Sequence, residues 1–430
     1  MNVVPIVIVG ISLLLMILSI ALDWKITIKK VSFGLYWIFC LIGAIVCLSF
    51  GFAGGNPFQD IFFNDANINP LKILVIFLSC TSISVLLDKI GFFSYIAAII
   101  LKKSKSSQTK LFFAFSGIIA ILTIFTSNDI LILTFTPFIC YFSKNAKINP
   151  IPYIISEFVC ANVWSMFFFI DNPTNIYMCA TFQITFIEYA IKMVLPTTLC
   201  GFLATGLVYL IFRRKLKAPI NIDDVEIVKP NKVQLIIGLS GLGIMVLMMA
   251  ISNYIGIELW YVPLICSVAT YIGVTIYNLI SHSSMSVIGR SLLSLPYALI
   301  PFLLSMSVFI ATLSQAQFIP EFANFLSSQN LFITGSIAFG LGNLLNNIPM
   351  TMMFTETLAT YNAGLPTVYA VVAASNICAL LTPIGSLAGI MFMKILKQNE
   401  VKYNFKQFVG YGFLVSVPTM ALALLIIYLV

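Results

Sequence analysis

The chain has 430 residues, of which 60% are apolar and only 9% charged, with a formal net charge of +8 and a mean hydropathy of +1.04. An ordinary soluble domain carries about 25% charged residues, so most of this chain belongs in lipid. A cytosolic enzyme and a nucleic-acid reader are excluded, and the positive charge needs a topological explanation instead.

Residues 3–22 (VVPIVIVGISLLLMILSIAL) are free of charge. A signal peptide has a basic start and an apolar stretch of about 7–15 residues. Here the start is uncharged and the run longer, so it reads as a retained first span. A crossing helix needs about 20 apolar residues. Ten segments are expected to cross: roughly 3–22, 31–53, 71–87, 150–186, 189–212, 233–252, 259–280, 296–316, 366–395 and 407–429. Two further stretches are too short. Residues 111–126 and 130–143 flank a polar SND, and residues 331–345 and 350–361 flank NNIP. Short paired arms with polar tips read as re-entrant hairpins, whose non-helical backbone at depth must be shielded by protein.

With the N-terminus outside and each hairpin returning to its own side, 21 of the 23 basic residues fall on the inner face. Only Lys72 and Lys192 face outward. The excess of basic residues in cytoplasmic loops sets the orientation, so both termini are expected outside a plasma membrane. The Lys-rich KKSKSSQTK (102–110) is part of that bias rather than a nucleic-acid surface.

The nine cysteines all lie in apolar stretches, no pair forms C-x-x-C, and the one histidine, His282, sits in a polar SHSS loop. The thiols read as small apolar residues. No metal centre is expected beyond a sodium site at the hairpin tips, and no cofactor.

The polar insert 213–232 (RRKLKAPINIDDVEIVKPNK) reads as a cytoplasmic linker between two halves. The first half, 71–212, orders a span, a short amphipathic piece, the hairpin 111–143, a helix 150–186 broken at DNPTN and another span. The second, 296–430, repeats that order with the hairpin 331–361 and a helix 366–395 broken at TPIGS. Asn347 lies 219 residues beyond Asn128, and Pro383 lies 210 beyond Pro173. One hairpin opens inward and the other outward, which is an inverted repeat of the kind that builds secondary transporters. Residues 1–70 and 233–295 supply scaffold spans. The expected fold is therefore all-helical and polytopic, about ten spanning helices with two re-entrant hairpins and two broken helices in an inverted repeat.

Gly, Pro and Asn at mid-membrane free backbone groups that cost several kcal/mol each if unpaired in lipid. Four such breaks are tolerable only if buried together or turned toward water and a ligand. They are Thr126, Ser127, Asn128 and Asp129, followed by Thr134, Thr136 and Pro137; Asp171, Asn172, Pro173, Thr174 and Asn175; Asn343, Asn346, Asn347, Pro349 and Thr351; and Ser375, Asn376, Thr382, Pro383, Gly385 and Ser386. Half-helix N-termini carry about half a positive charge and free N–H donors. Amide and hydroxyl side chains both donate and accept, so together they can replace water around a small oxyacid.

Four carboxylates fall within the spans or hairpins: Asp129, Glu157, Asp171 and Glu356. Intramembrane carboxylates are expensive and usually functional. Asp129, at a hairpin tip, is the first candidate to carry a coupling proton, although Asp also commonly caps a helix. Asp171, beside the opposite break, is second. For Glu157 and Glu356, a place near a helix end with access to water weighs as much as a role.

At these residues the chain resembles a known family. SNDILILTFTP (127–137), SEFVCANVWSMFFFIDNPTNIY (156–177), NLLNNIPMTM (343–352) and LTPIGSLAGIMFMKIL (381–396) are similar to ArsB/NhaD-type permeases, members of the ion transporter superfamily that includes citrate and dicarboxylate carriers. The resemblance runs along roughly the whole chain. It implies a secondary carrier, often homodimeric, whose core moves against a scaffold as an elevator. It also implies a substrate and ion site at Ser127, Asn128, Asp129, Asn172, Pro173, Thr174, Asn175, Asn346, Asn347, Thr382 and Ser386.

The leading expectation is a proton- or sodium-coupled carrier of a small anion or oxyacid, with arsenite-type efflux foremost. A sodium/proton antiporter working through Asp129 and Asp171 is the alternative. An intramembrane aspartyl protease, which needs two facing carboxylates sharing a proton, is a remote one, because it leaves the repeat without a purpose. No G-x-x-x-x-G-K-[ST] loop occurs, so ATP-driven pumping needs a partner ATPase subunit, and none is expected to be required.

Overall fold

The computed structural model describes residues 2–22, 24–28, 31–56, 59–63, 69–103, 107–217 and 228–430. Half of the linker expected at 213–232, residues 218–227, and part of the Lys-rich stretch 102–110 lie outside the described residues.

Helix α1 (Val3–Ala21) leads through an antiparallel ribbon, β1 (Lys25–Ile28) and β2 (Val31–Gly34), into α2 (Tyr36–Ser49). Then come α3 (Pro70–Ile90), α4 (Phe92–Lys103), α5 (Gln108–Phe125), α6 (Asn128–Asn145) and α7 (Ile151–Val163). Two 3-10 turns (Trp164–Met166 and Phe169–Asp171) follow, with α8 (Pro173–Thr181) and α9 (Phe186–Phe212) after them. The chain continues with α10 (Lys232–Ile251), α11 (Tyr261–Ile280), α12 (Ser286–Leu293), α13 (Leu299–Gln315), α14 (Phe318–Ser327), α15 (Leu331–Leu345), α16 (Asn347–Thr360) and α17 (Leu365–Ile377). Two more 3-10 turns (Cys378–Leu380 and Pro383–Gly385) precede α18 (Leu387–Gln398) and α19 (Phe405–Leu429).

Local sequence sets these ends. Asn69 accepts from the N–H groups of Leu71 and Lys72 ahead of Pro70, and Gly91 closes α3 with a φ of 94° that a side chain disfavours. Reciprocal capping boxes start the two long final helices, Thr185 with Glu188 at α9 and Asn404 with Gln407 at α19.

The order from α3 to α9 recurs from α13 to α19. Over the broken helices the boundaries repeat at a fixed separation: 365 − 151 is 214, and the same spacing relates both helix ends, both pairs of 3-10 turns and the starts of α8 and α18. Packing follows the same logic across the halves. The pair α1–α2 packs on α13, whereas α10 and α11 pack on α3. Arm α6 packs on α18, α16 on α8, and α9 on α19.

The structure is an all-helical polytopic membrane protein apart from the ribbon β1–β2, with two departures from expectation. Among the described residues seven helices are long and apolar enough to cross a bilayer, or eight if α13 and α14, bent by 79°, form one span. First, the span expected at 31–53 is the 14-residue α2 preceded by strand, because Val31–Gly34 pairs with Lys25–Ile28. Second, the arms expected to be 16 and 14 residues long in the first hairpin are each helices of 18 residues, so α5 qualifies as a span by length. As expected, 150–186 and 366–395 are broken, each a composite of short helices and 3-10 turns.

Candidate functional site

The second and fourth breaks meet in a buried polar knot. Asn376, near the end of α17, accepts at Oδ1 from Ser165 Oγ at 2.8 Å and from Asn172 Nδ2 at 3.0 Å. Its Nδ2 donates to Asn175 Oδ1 at 2.8 Å and to the carbonyl of Val372 at 2.8 Å. Asn175 in turn donates to the Ser165 carbonyl at 3.0 Å. Thr174 Oγ1 donates to Asn172 Oδ1 at 2.9 Å and lies 3.3 Å from Ser375 Oγ. All of these side chains are buried. A polar group in such a place is costly unless paired, and here the amides pair one half of the chain with the other.

The third break closes on the fourth. Asn346 separates α15 from α16 with φ 78° and ψ 152°, a backbone region occupied almost solely by glycine and costing about 1–3 kcal/mol. Two bonds hold it there: Nδ2 donates to the Ile384 carbonyl at 3.0 Å, and Oδ1 accepts from Ile348 N. Thr382 Oγ1 donates to Asn343 Oδ1 at 2.9 Å. Ser386 caps α18 by accepting from Gly389 N at 3.0 Å, as Asn172 caps α8 through Thr174 N at 3.2 Å. These two caps, 214 residues apart, are the true counterparts. The proline pairing expected from the sequence is out of register by four, because Pro383 opens a 3-10 turn while Pro173 opens α8.

The first break stands apart from the knot and faces a cavity. This cavity, of about 210 Å³, is lined by Ser127, Asp129 and Leu133 of the first hairpin, Phe77, Thr81 and Val85 of α3, and Leu387, Met391 and Lys394 of α18. Ser127 makes no cap bond to α6, so its hydroxyl is not spent on the helix. Asn128 is buried and accepts from Asp129 N at 2.9 Å. A larger cavity, of about 760 Å³, opens at the other end of the same helix pair. It is lined by Ile73 and Ile76 near the start of α3, Ser307 and Ser314 toward the end of α13, Tyr177 of α8 and Glu356 of α16. At its rim Lys72 donates to Glu258 at 2.7 Å, and Trp260 Nε1 donates to the same oxygen at 2.9 Å. Since α3 meets the larger cavity first and the smaller one later, and α13 the reverse, the two helices run antiparallel between the cavities.

Of the residues expected at the site, Asn172, Thr174 and Asn175 belong to the knot, Asn346, Thr382 and Ser386 to the second hairpin's seat, and Ser127 and Asp129 to the smaller cavity. Pro173 is the first residue of α8 and Asn347 the first of α16, both buried. The side chain of Asp171 lies outside the described residues. Glu157 is not near a helix end or water: it is fully buried in the middle of α7, with both oxygens accepting from Thr136 Oγ1 at 2.9 and 2.8 Å. Ser165 and Asn376 were not among the expected site residues, although Asn376 and its neighbour Ser375 stand in the fourth polar break. Ser165 carries no break signal of its own.

Interrupted helices meeting at a buried polar centre, with two cavities at opposite ends of α3 and α13, are the architecture of a polytopic membrane transporter. The profile of the arsenical pump membrane protein family, ArsB, matches residues 7–430, and the chain belongs to that family, within the ion transporter superfamily. It is 24% identical to an arsenical pump membrane protein of Yersinia enterocolitica, over 81% of this chain and 84% of the relative. The same figures hold for the protein of that description in Escherichia coli strain K12. A 46 kDa membrane protein of Mycobacterium leprae is 19% identical over 85% of this chain and 87% of its own length. Among solved structures, the YdaH transporter of Alcanivorax borkumensis shares the fold, with a TM-score of 0.57 at 14% identity over 99% of this chain and 97% of that one.

Proposed function

We propose that the protein is a secondary active transporter that exports a small oxyacid of the arsenite type, coupled to a proton or sodium gradient. The observation that carries this reading is the pair of cavities at opposite ends of α3 and α13, together with a packed polar knot of Asn172, Asn175 and Asn376 that lines neither of them. A channel needs one continuous path; two separate cavities suit alternating access. The relatives named as arsenical pumps supply the substrate class. Helix N-termini, amides and hydroxyls can bind a neutral or anionic oxyacid without an arginine or lysine.

In this reading residues 71–212 and 296–430 are inverted repeats, flanked by scaffold spans 1–70 and 233–295. The hairpins and broken helices move as an elevator against that scaffold, in a plasma membrane and as a homodimer. The larger cavity faces out and the smaller one in, with both termini outside. Lys192, one of the two basic residues assigned to the outer face, donates to the carbonyl of Val430 at 2.8 Å. On the assigned inner face Lys144 pairs with Glu400 at 3.4 Å, and Thr109 donates to the Leu216 carbonyl at 3.2 Å. Ser127 and Asp129 form the inner part of the site, with Asp129 releasing the coupling ion.

Proteoliposomes loaded with arsenite test this. Imposed proton or sodium gradients are expected to drive its flux in the wild type. Asp129→Asn is expected to abolish gradient-driven flux while leaving exchange of labelled arsenite across equal concentrations. A sodium/proton antiporter would instead move sodium and protons with no arsenite flux, and that result would overturn the proposal.

A further inference from the structure

The larger cavity holds a carboxylate that the reading above leaves unused. Glu356 lies two turns into α16, on the wall that this arm shares with α8. Among the described residues no hydrogen bond or ion pair engages its carboxylate; beyond the helix's own backbone bonds, its carbonyl accepts from Thr360 Oγ1 at 2.8 Å. Two other acids line the same cavity in different settings. Glu258 is paired with Lys72 at the rim, and Asp60 is exposed on the short helical turn Gln59–Phe63, whereas Glu356 is half-buried. From α8, Tyr177 interacts electrostatically with Glu356 and Cys179 also lines the cavity, and α13 contributes only neutral groups, Ser307, Ser314 and Gln315 among them. Glu356 is therefore the one carboxylate that α16 brings into this cavity, as Asp129 is the one that α6 brings into the smaller cavity.

That placement has a physical consequence. An ionised carboxylate is tolerable in the cavity while water fills it, but closure would strip the water from a charge with no partner. Burying an unpaired charge is prohibitive, and the group is neutralised instead. We propose that Glu356 is the proton-accepting group of the larger cavity, so that this side closes only after taking up a proton from its own compartment. The step balances simply: hydronium in the cavity gives its proton to a carboxylate oxygen and leaves as water, and release runs in reverse when the cavity reopens. Glu356 and Asp129 then serve as matching gates, one per cavity. This deepens the transport reading and rests on it.

The test compares two activities in proteoliposomes, accumulation of arsenite under a pH gradient and exchange of labelled arsenite at equal concentrations and equal pH. Glu356→Gln, permanently neutral, is expected to lose accumulation by at least tenfold. Its exchange should continue at the wild-type rate and lose its dependence on the pH of the larger-cavity side. Glu356→Asp is expected to keep accumulation with a displaced pH profile, which separates a protonation role from a packing one. Asp60→Asn serves as the control and should behave as wild type. Unchanged accumulation in Glu356→Gln overturns the proposal. So does loss of its exchange in a folded, monodisperse variant, and so does wild-type accumulation driven by sodium at constant pH. If the wild type exchanges no arsenite at all, the proposed transport function has failed rather than the assignment of Glu356.

Discussion

Three carboxyl groups at membrane depth occupy three different settings. Asp129 and Glu356 line cavities. Glu157 lines neither, and its oxygens are taken by the hydroxyl of Thr136, which fastens α6 to α7 just before Pro137. Buried and bonded to Thr136, Glu157 is placed for packing rather than for exchange with a cavity. An amide can replace the acid there, because the threonine hydroxyl can both donate to and accept from it. Glu157→Gln is thus expected to transport arsenite at the wild-type rate, with an unaltered pH profile and a thermal midpoint within a few degrees. Flux measured from pH 5.5 to 8.5 checks this; a flattened profile would place Glu157 on the proton route. The same accounting explains why Asn376 is central. Its amide satisfies Ser165, Asn172 and Asn175 together, and each buried partner left unpaired costs about 1–3 kcal/mol.

At the scale of the element, the breaks are shaped by close approach as much as by proline. A Cβ on Gly385 would lie 2.8 Å from the carbonyl oxygen of Cys378 and 3.2 Å from Asn343 Oδ1, the acceptor of Thr382. The 3-10 turn Pro383–Gly385 would have to shift, at a cost of about 1–3 kcal/mol for overpacking, and the seat of Asn346 on Ile384 would shift with it. Gly385→Ala is expected to lower the thermal midpoint by several degrees and reduce arsenite flux at least tenfold. Gly410→Ala in α19, whose Cβ would meet nothing within 4 Å, should leave both measurements unchanged. Such breaks were legible in the sequence because Pro, Asn and Ser cluster in runs that are otherwise apolar, and the order of elements in each half followed from them. Register was not legible. Proline is favoured at the first position of a helical turn of either kind, so matching Pro383 to Pro173 aligned two unlike turns. Ser165 gave no signal because a serine in an apolar helix bonds its own backbone as readily as a distant amide, and its partner is fixed only by the fold. The ribbon at Lys25–Gly34 was hidden by a window that counts apolar residues and ignores the β-branched run KITI.

Across the whole molecule the two halves are interleaved rather than adjacent. Each leading helix pair packs on the first long helix of the opposite half, and each second hairpin arm packs on the half-helix of the other break. Cavity walls are therefore shared: α16 of one half and α8 of the other bound the larger cavity, while α6 and α18 bound the smaller. Movement of the hairpins and half-helices along α3 and α13 would open one cavity as it narrows the other. Cysteine accessibility reads this directly, since every native cysteine except the partly buried Cys266 is buried. In a Cys266→Ala background, a cysteine at Ser314 is expected to react with an impermeant maleimide from the outside only, and one at Leu133 from the inside only. Under the proposed alternation, arsenite at saturation would shift the equilibrium between the two states through its differential affinity, so labelling at one position should rise as it falls at the other. Labelling of both positions from the same side would refute the opposed cavities. A parallel rise or fall at both would refute their alternation, leaving two independent vestibules in place of a single moving site.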